Sequence, residues 1–256
     1  MTFQIGEKSI IINDLLIHYY CSQKNQQTII FLHGWRSEAK IWLEFFSQFS
    51  NFSLFALDLP GFGKSETPKK PYNLNDYATV VNQFITKLNI KNPIIISHSF
   101  GGNTALKLAI NNPQLLKSLI LVASSGVRPQ TPKKKLSKII AKIIKPIFSL
   151  TFMQPLKKLI YIKLRNEDYL ATPQLQKTYL NIIQEDITPL LKNIQTPTLI
   201  IWGENDQETP INQAYTLHKN ISQSKLIILK NTGHFNFLDQ KEEFTKHVTN
   251  FLTTNH

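Results

Sequence analysis

Residues Ile94-Ile95-Ile96-Ser97-His98-Ser99-Phe100-Gly101-Gly102 restrict the fold of this chain more than any other stretch. Three β-branched apolar residues read as the end of a buried strand. A small–x–Ser–x–Gly turn follows, and Asn103 to Ile110 then takes helical spacing. A strand that passes into a helix through one sharp turn, with a serine at the apex, is the layout of a nucleophile elbow. Ser97, Gly101 and Gly102 stand where such a turn leaves no room for bulk. Ser99 is therefore expected to present its hydroxyl at the carboxyl edge of a sheet.

The flanking sequence supplies that sheet. Ser9–Ile12 and Leu15–Cys21 read as strands joined by the turn Asn13-Asp14. Thr28–Leu32, Ser53–Leu57, Leu119–Ala123, Thr198–Trp202 and Leu226–Leu229 read as further strands. Helical spacing covers Ala39–Phe49, Asp76–Leu88 with Asn75 as its cap, Pro210–His218 and Glu242–Leu252. Strands alternating with helices predict an α/β fold, a mainly parallel sheet covered on both faces. With 256 residues the chain can build one large domain with a substantial core.

The alternation breaks between Val127 and Ile194, where no strand is evident and lysine is frequent. From Arg128 to Asn193 there are 13 Lys and Arg against 4 Asp and Glu. Within it, Leu136, Ile139, Ile140, Ile143, Ile144, Ile147 and Phe148 recur at helical spacing, with Lys134, Lys135, Lys138, Lys142 and Lys145 opposite. That pattern predicts a lid helix laying its apolar face on the body, up to a break at Pro146; contact with a membrane surface is the second reading. The net charge of +12 does not point to nucleic acid. Only Arg36, Arg128 and Arg165 are arginine, and nucleic-acid surfaces favour arginine or aromatics among basic residues. The single cysteine, Cys21, can form no intrachain disulfide. The amino terminus lacks a long apolar run, and no stretch approaches the ~18 apolar residues of a membrane span. A soluble, cytoplasmic protein is expected, with no metal motif and no phosphate-cradling glycine loop to suggest a cofactor.

A serine hydroxyl needs an imidazole within reach and a carboxylate to orient that imidazole. In an open parallel sheet those groups should follow the carboxyl ends of strands. Asp206 follows Thr198–Trp202 within Gly203-Glu-Asn-Asp206-Gln-Glu-Thr-Pro210, and His234 follows Leu226–Leu229 within Thr232-Gly-His234-Phe235. Glu204 and Glu208 lie close enough to Asp206 to be rivals for the acid. His98, Asp58 and Gly61 to Gly63 read as structural, and His18, His218, His247 and His256 fit no ligand spacing.

Together with Leu32-His33-Gly34-Trp35 and Asp58-Leu-Pro-Gly-Phe-Gly-Lys-Ser65, these motifs resemble the α/β-hydrolase superfamily, in the family's order and over nearly the whole chain. The resemblance implies an eight-stranded, mostly parallel sheet with a helical cap inserted after the sixth strand. The core would be residues 1–126 and 195–256, and the cap 127–194. It implies Ser99, Asp206 and His234 as catalytic residues. The backbone N–H groups of Trp35 and Phe100 would form an oxyanion hole, and His33, Gly34, Trp35 and Phe235 would line the substrate site. The expected reaction is cleavage of a small or medium apolar carboxylic ester through an acyl-enzyme. Carbon–carbon bond hydrolysis of a diketone, or ligand binding with little turnover, are the alternatives. Ser97, where glycine is common, and the loop His33-Gly34-Trp35-Arg36 depart from the familiar patterns of the subfamilies.

Overall fold

Thr28–Leu32, Ser53–Leu57, Ile94–His98, Ser118–Val122 and Thr198–Gly203 are strands in which every residue is buried. Strands covered on both faces become continuous apolar runs, and helices on either side of a sheet supply that cover. In the computed structural model, which describes residues 4–22, 27–127 and 167–254, these strands form the centre of an eight-stranded sheet. In chain order the strands are β1 (Gly6–Ile12), β2 (Leu15–Ser22), β3 (Thr28–Leu32), β4 (Ser53–Leu57), β5 (Ile94–His98), β6 (Ser118–Val122), β7 (Thr198–Gly203) and β8 (Ser224–Leu229). Their spatial order is β1-β2-β4-β3-β5-β6-β7-β8. The pairs β1–β2 and β2–β4 are antiparallel, and the other pairs are parallel. Asn13 and Asp14 both take positive φ, 51° and 60°, as a two-residue hairpin turn between twisted strands requires.

The period of two along β3 sorts its side chains between two cores. Ile30 and Leu32 pack in a cluster with Tyr77, Phe84 and Leu106, from helices α1 (Leu74–Lys87) and α2 (Phe100–Asn111). Ile29 and Phe31 pack with Trp42, Phe46, Phe244 and Phe251 on the other face. α1 begins two residues earlier than expected: Asn73, not Asn75, is the cap. The Asn73 side chain accepts from the Asp76 N–H, and the Asp76 carboxylate accepts from the Asn73 N–H. Asn75 lies inside the first turn and accepts from Asn111 Nδ2 at 2.7 Å. Ala39–Phe45 is a 3-10 helix rather than an α-helix reaching Phe49.

The chain runs from β3 to β4 on one side, then crosses back to β5 on the other side of β3. A crevice opens where the winding reverses, at the carboxyl ends of β3 and β5. Those two ends carry His33-Gly34-Trp35 and Ser99. Asp58, at the end of β4, shapes the neighbouring loop as expected. Its carboxylate accepts from the N–H of Ala39 at 2.6 Å, the N–H of Lys64 at 2.9 Å and His18 Nδ1 at 2.7 Å. His18 Nε2 in turn lies 2.9 Å from Glu7, which also pairs with Lys64.

Between β6 and β7, the described residues form two short α-helices, α3 (Glu167–Ala171) and α4 (Gln176–Gln184), and two 3-10 turns. They sit over the loops at the carboxyl edge. Thr178 Oγ1 accepts from the Tyr72 N–H at 3.0 Å, Tyr179 packs on Trp35, and a methyl at Gly61 would meet Leu175. The expected amphipathic helix from Leu136 to Phe148 lies outside the described residues. Beyond β7 come α5 (Asn212–Asn220), α6 (Asn236–Asp239) and α7 (Lys241–Thr254). No helix among the described residues is long and apolar enough to cross a membrane.

Candidate active site

The turn after β5 holds Ser99 at φ 49°, ψ −114°. Positive φ in a non-glycine residue carries strain, of order 1–3 kcal/mol, and strain of this kind gathers at functional sites. Four backbone hydrogen bonds hold it in place, one of them from the Ser125 N–H to the Ser99 carbonyl at 3.1 Å. The Ser99 N–H donates to Val122 O at 3.0 Å, and the Ser99 carbonyl accepts from Gly102 and Asn103. A Cβ on Gly101 would lie 2.6 Å from the carbonyl oxygens of both Leu32 and His33, so α2 approaches β3 as only glycine permits. Ser97 explains its own presence at the first elbow position: its buried hydroxyl donates to Ile120 O at 3.1 Å on β6.

The loop after β3 is fitted against the elbow. A Cβ on Gly34 would be 3.0 Å from His98 Nδ1 and 3.2 Å from Ser99 Cβ. His33 is fully buried; its Nδ1–H donates to Gly34 O at 2.7 Å, and its Nε2 accepts from the Leu59 N–H at 3.0 Å. Burial lowers its pKa, in keeping with this neutral tautomer. His33 therefore holds the loop from behind, and its side chain has no surface left for a substrate. Trp35 projects from the same loop and packs edge-on against Phe62 and Phe100, at ring separations of 4.8 and 5.2 Å. Among the described residues, neither the Trp35 N–H nor the Phe100 N–H donates to a protein acceptor.

Asp206 and His234 meet beside this turn. A Cβ on Gly203 would lie 2.7 Å from Thr232 O and closer still to Gly233 O, so the bare backbone at the end of β7 is what lets the two loops approach. His234 Nδ1–H donates to Asp206 Oδ2 at 2.9 Å. The carboxylate is saturated: Oδ2 also accepts from Thr209 Oγ1 at 2.7 Å, and Oδ1 from the N–H groups of Glu208 and Thr209, both at 2.9 Å. Burial pushes the Asp206 carboxyl up, but the hydrogen bonds and charge of His234 and the hydrogen bonds of Thr209 outweigh it and hold the pKa below the ordinary value. Glu204, a rival on sequence grounds, points elsewhere and accepts from the Asn231 N–H at 3.1 Å. Glu208 stands on the other side of the imidazole, its Oε2 3.6 Å from His234 Nε2. Ser99 Oγ and His234 share no hydrogen bond among the described residues.

The elbow and the histidine loop are joined through His98. Its Nε2–H donates to His234 O at 3.0 Å, and the two rings lie 4.6 Å apart. Full burial, followed by the influence of His234, lowers the His98 pKa to about 3, so the ring is a neutral brace. Phe235, 40% exposed, packs at a tilt against His98 with ring centres 5.0 Å apart, beside His234. Sequence reasoning missed Thr209 and Trp202. Trp202 Nε1–H donates to Thr209 O at 2.7 Å and so fixes the residue that fixes the acid. The signal that could have found Thr209 is a hydroxyl three residues after Asp206, the spacing of a local side-chain turn. Among the described residues, no group of three or more His, Cys, Asp or Glu is arranged to hold a metal ion.

The fold that carries this arrangement recurs in known proteins. A family model described as "alpha/beta hydrolase fold" matches residues 27–144 and 163–241. The chain is 28% identical over 259 residues to an uncharacterized hydrolase, YugF, of Bacillus subtilis (strain 168), covering 91% of this chain and 93% of that protein. It is 25% identical over 267 residues to a 2-hydroxy-6-oxononadienedioate/2-hydroxy-6-oxononatrienedioate hydrolase of Pseudomonas putida, covering 94% and 93%. Among solved structures, an esterase from Exiguobacterium antarcticum superposes with a TM-score of 0.74 at 23% identity, over 94% of this chain and 97% of that one, a likeness of fold. With more than half its length matched by the family model, and with the sheet order described above, this chain belongs to the alpha/beta hydrolase fold family.

Proposed function

We propose that the protein is a serine hydrolase that cleaves carboxylic esters of small or medium apolar substrates through an acyl-enzyme. The observation that carries the reading is the His234–Asp206 pair, buried and fully hydrogen-bonded, braced by His98 against the strained Ser99. In this reading Ser99 Oγ attacks the ester carbonyl and His234 Nε2 takes the hydroxyl proton. Asp206 keeps the imidazole in the tautomer with Nδ1–H and stabilises the imidazolium. The N–H groups of Trp35 and Phe100 receive the oxyanion, a role that loses ~10²–10³ in turnover when one such donor is removed. His234 returns the proton to the departing alcohol, and water then releases the acid. The aromatic surfaces of Trp35, Phe62, Phe100 and Phe235 suit an apolar acyl or aryl group. Residues 127–194 would form the cap over this site, and the cytoplasm would be its location.

Carbon–carbon bond hydrolysis is the second reading. It is favoured by the Pseudomonas putida relative, whose name places it in that chemistry, and the same three residues would serve it. A panel of p-nitrophenyl esters of increasing acyl length, run beside a diketone-type substrate, separates the two. Ester hydrolysis that falls by ~10⁴–10⁶ in Ser99→Ala is the expected result. Wild-type ester turnover no faster than that of Ser99→Ala sinks the ester reading, and labelling of Ser99 by a fluorophosphonate then shows whether a reactive serine remains.

A further inference from the structure

We propose that Glu208 sets the charge preference of the site, favouring esters with a cationic or neutral alcohol portion over those with an anionic one. The inference rests on the ester-hydrolase reading and names the substrate class within it. Asp206 occupies His234 at Nδ1, so Nε2 is the nitrogen that meets reacting groups. The Glu208 carboxylate stands 3.6 Å from that nitrogen. An alcohol that takes its proton from Nε2 does so beside this carboxylate. The imidazole side chain is 7% exposed and the Glu208 side chain 68%, so the carboxylate lies on the solvent side of a buried ring.

Its position is fixed at one end and loose at the other. The Glu208 backbone N–H is bound to Asp206 Oδ1, while the carboxylate makes no ion pair other than that with His234 among the described residues. No described cation cancels it. Arg36, on the loop after β3, is paired with Asp168 at 3.5 Å. A single negative charge about 6 Å from a charged substituent, in surroundings between water and a protein surface, changes kcat/KM by about three- to tenfold in each direction. Salt weakens the effect, because the carboxylate is exposed.

The test uses three phenyl butyrates with a meta trimethylammonio, tert-butyl or carboxylate group, the first two matched in size, followed by phenol release. In the wild type, kcat/KM is expected to fall in that order. In Glu208→Gln the ratio of cationic to anionic rates should drop by about ten- to a hundredfold, the product of the two single effects. In Glu208→Lys the ratio should drop further, and in the wild type about 0.5 M salt should compress it. Thermal unfolding of both variants confirms that the fold is intact. A cation-to-anion ratio in Glu208→Gln and Glu208→Lys within twofold of the wild type overturns the assignment of Glu208 while leaving ester hydrolysis standing. Failure of the wild type to cleave even the neutral ester instead removes the ester reading, and this proposal with it.

Discussion

Gly203→Ala is a one-carbon change that should separate the acid from the base. Gly203 ends β7, three residues before Asp206, and faces the loop that ends in His234. An added Cβ would sit 2.7 Å from Thr232 O and nearer still to Gly233 O. Carbon–oxygen contacts settle at about 3.3–3.6 Å, so the loops must part by about 0.6 Å at Thr232 and by more at Gly233. Both obstacles are backbone atoms of a loop whose Thr232 carbonyl also accepts from the Asn205 N–H, so neither can swing aside as a side chain would. Overpacking of this kind costs about 1–3 kcal/mol. Parting the loops stretches the 2.9 Å bond between His234 and Asp206, and misplacement of about 1 Å can cost ~10² in rate. The assay is kcat/KM on a p-nitrophenyl ester, with urea unfolding for stability. The downfield proton resonance of the His234–Asp206 hydrogen bond is a readout independent of substrate. A variant that unfolds at the wild-type midpoint and keeps both the resonance and the rate within threefold would refute the claim that this glycine sets the spacing.

Thr209→Val removes one hydroxyl donor from Asp206 and should cost about 1.5–3 kcal/mol near neutral pH, the range for a hydrogen bond to a charged group. The folded Asp206 pKa lies below its ordinary 3.8, so its ionised form contributes stability that is complete above that pH and is lost as pH falls through the lower folded value. The variant's folded pKa moves up, so the stability gap should narrow as the pH drops below 3.8; a gap independent of pH from neutrality to pH 2 contradicts the account. Asn73→Ala should lose about 1 kcal/mol by breaking the capping box of α1, or roughly 2–4 °C in Tm. Asn75→Ala, which loses only an exposed contact with Asn111, should stay within about 0.5 kcal/mol, and equal losses in the two variants would place the cap wrongly.

The features legible in the sequence were those written in residue type and period. The continuous apolar runs of β3, β5 and β7 announced a sheet covered on both faces, and each strand end that bears Ser99, Asp206 or His234 was marked by a glycine nearby. What escaped was set by geometry. Asn73 and Asn75 are chemically the same residue, and only the reach of Asp76 back to the Asn73 N–H decides which is the cap. The family resemblance puts His33 in the substrate site, but its two nitrogens are spent on Gly34 and Leu59, the latter distant in sequence. Thr209 and Trp202 carry no motif of their own; their part in the site depends on distances of a few ångströms between loops. Glu208, a rival of Asp206 on sequence grounds, approaches the opposite nitrogen of the same ring.

The Asp206 carboxylate draws two of its hydrogen bonds from main-chain N–H groups, one of them from position 208. A main-chain donor is present whatever side chain the residue bears, proline aside. Position 208 thus performs two separable duties, anchoring the acid with its backbone and facing solvent with its side chain. Descendants of this chain can exchange that side chain, and with it the molecules they accept, while the main-chain bond to Asp206 stays in place. Such a position is where divergence within a lineage should accumulate first, and where directed evolution of the protein should begin.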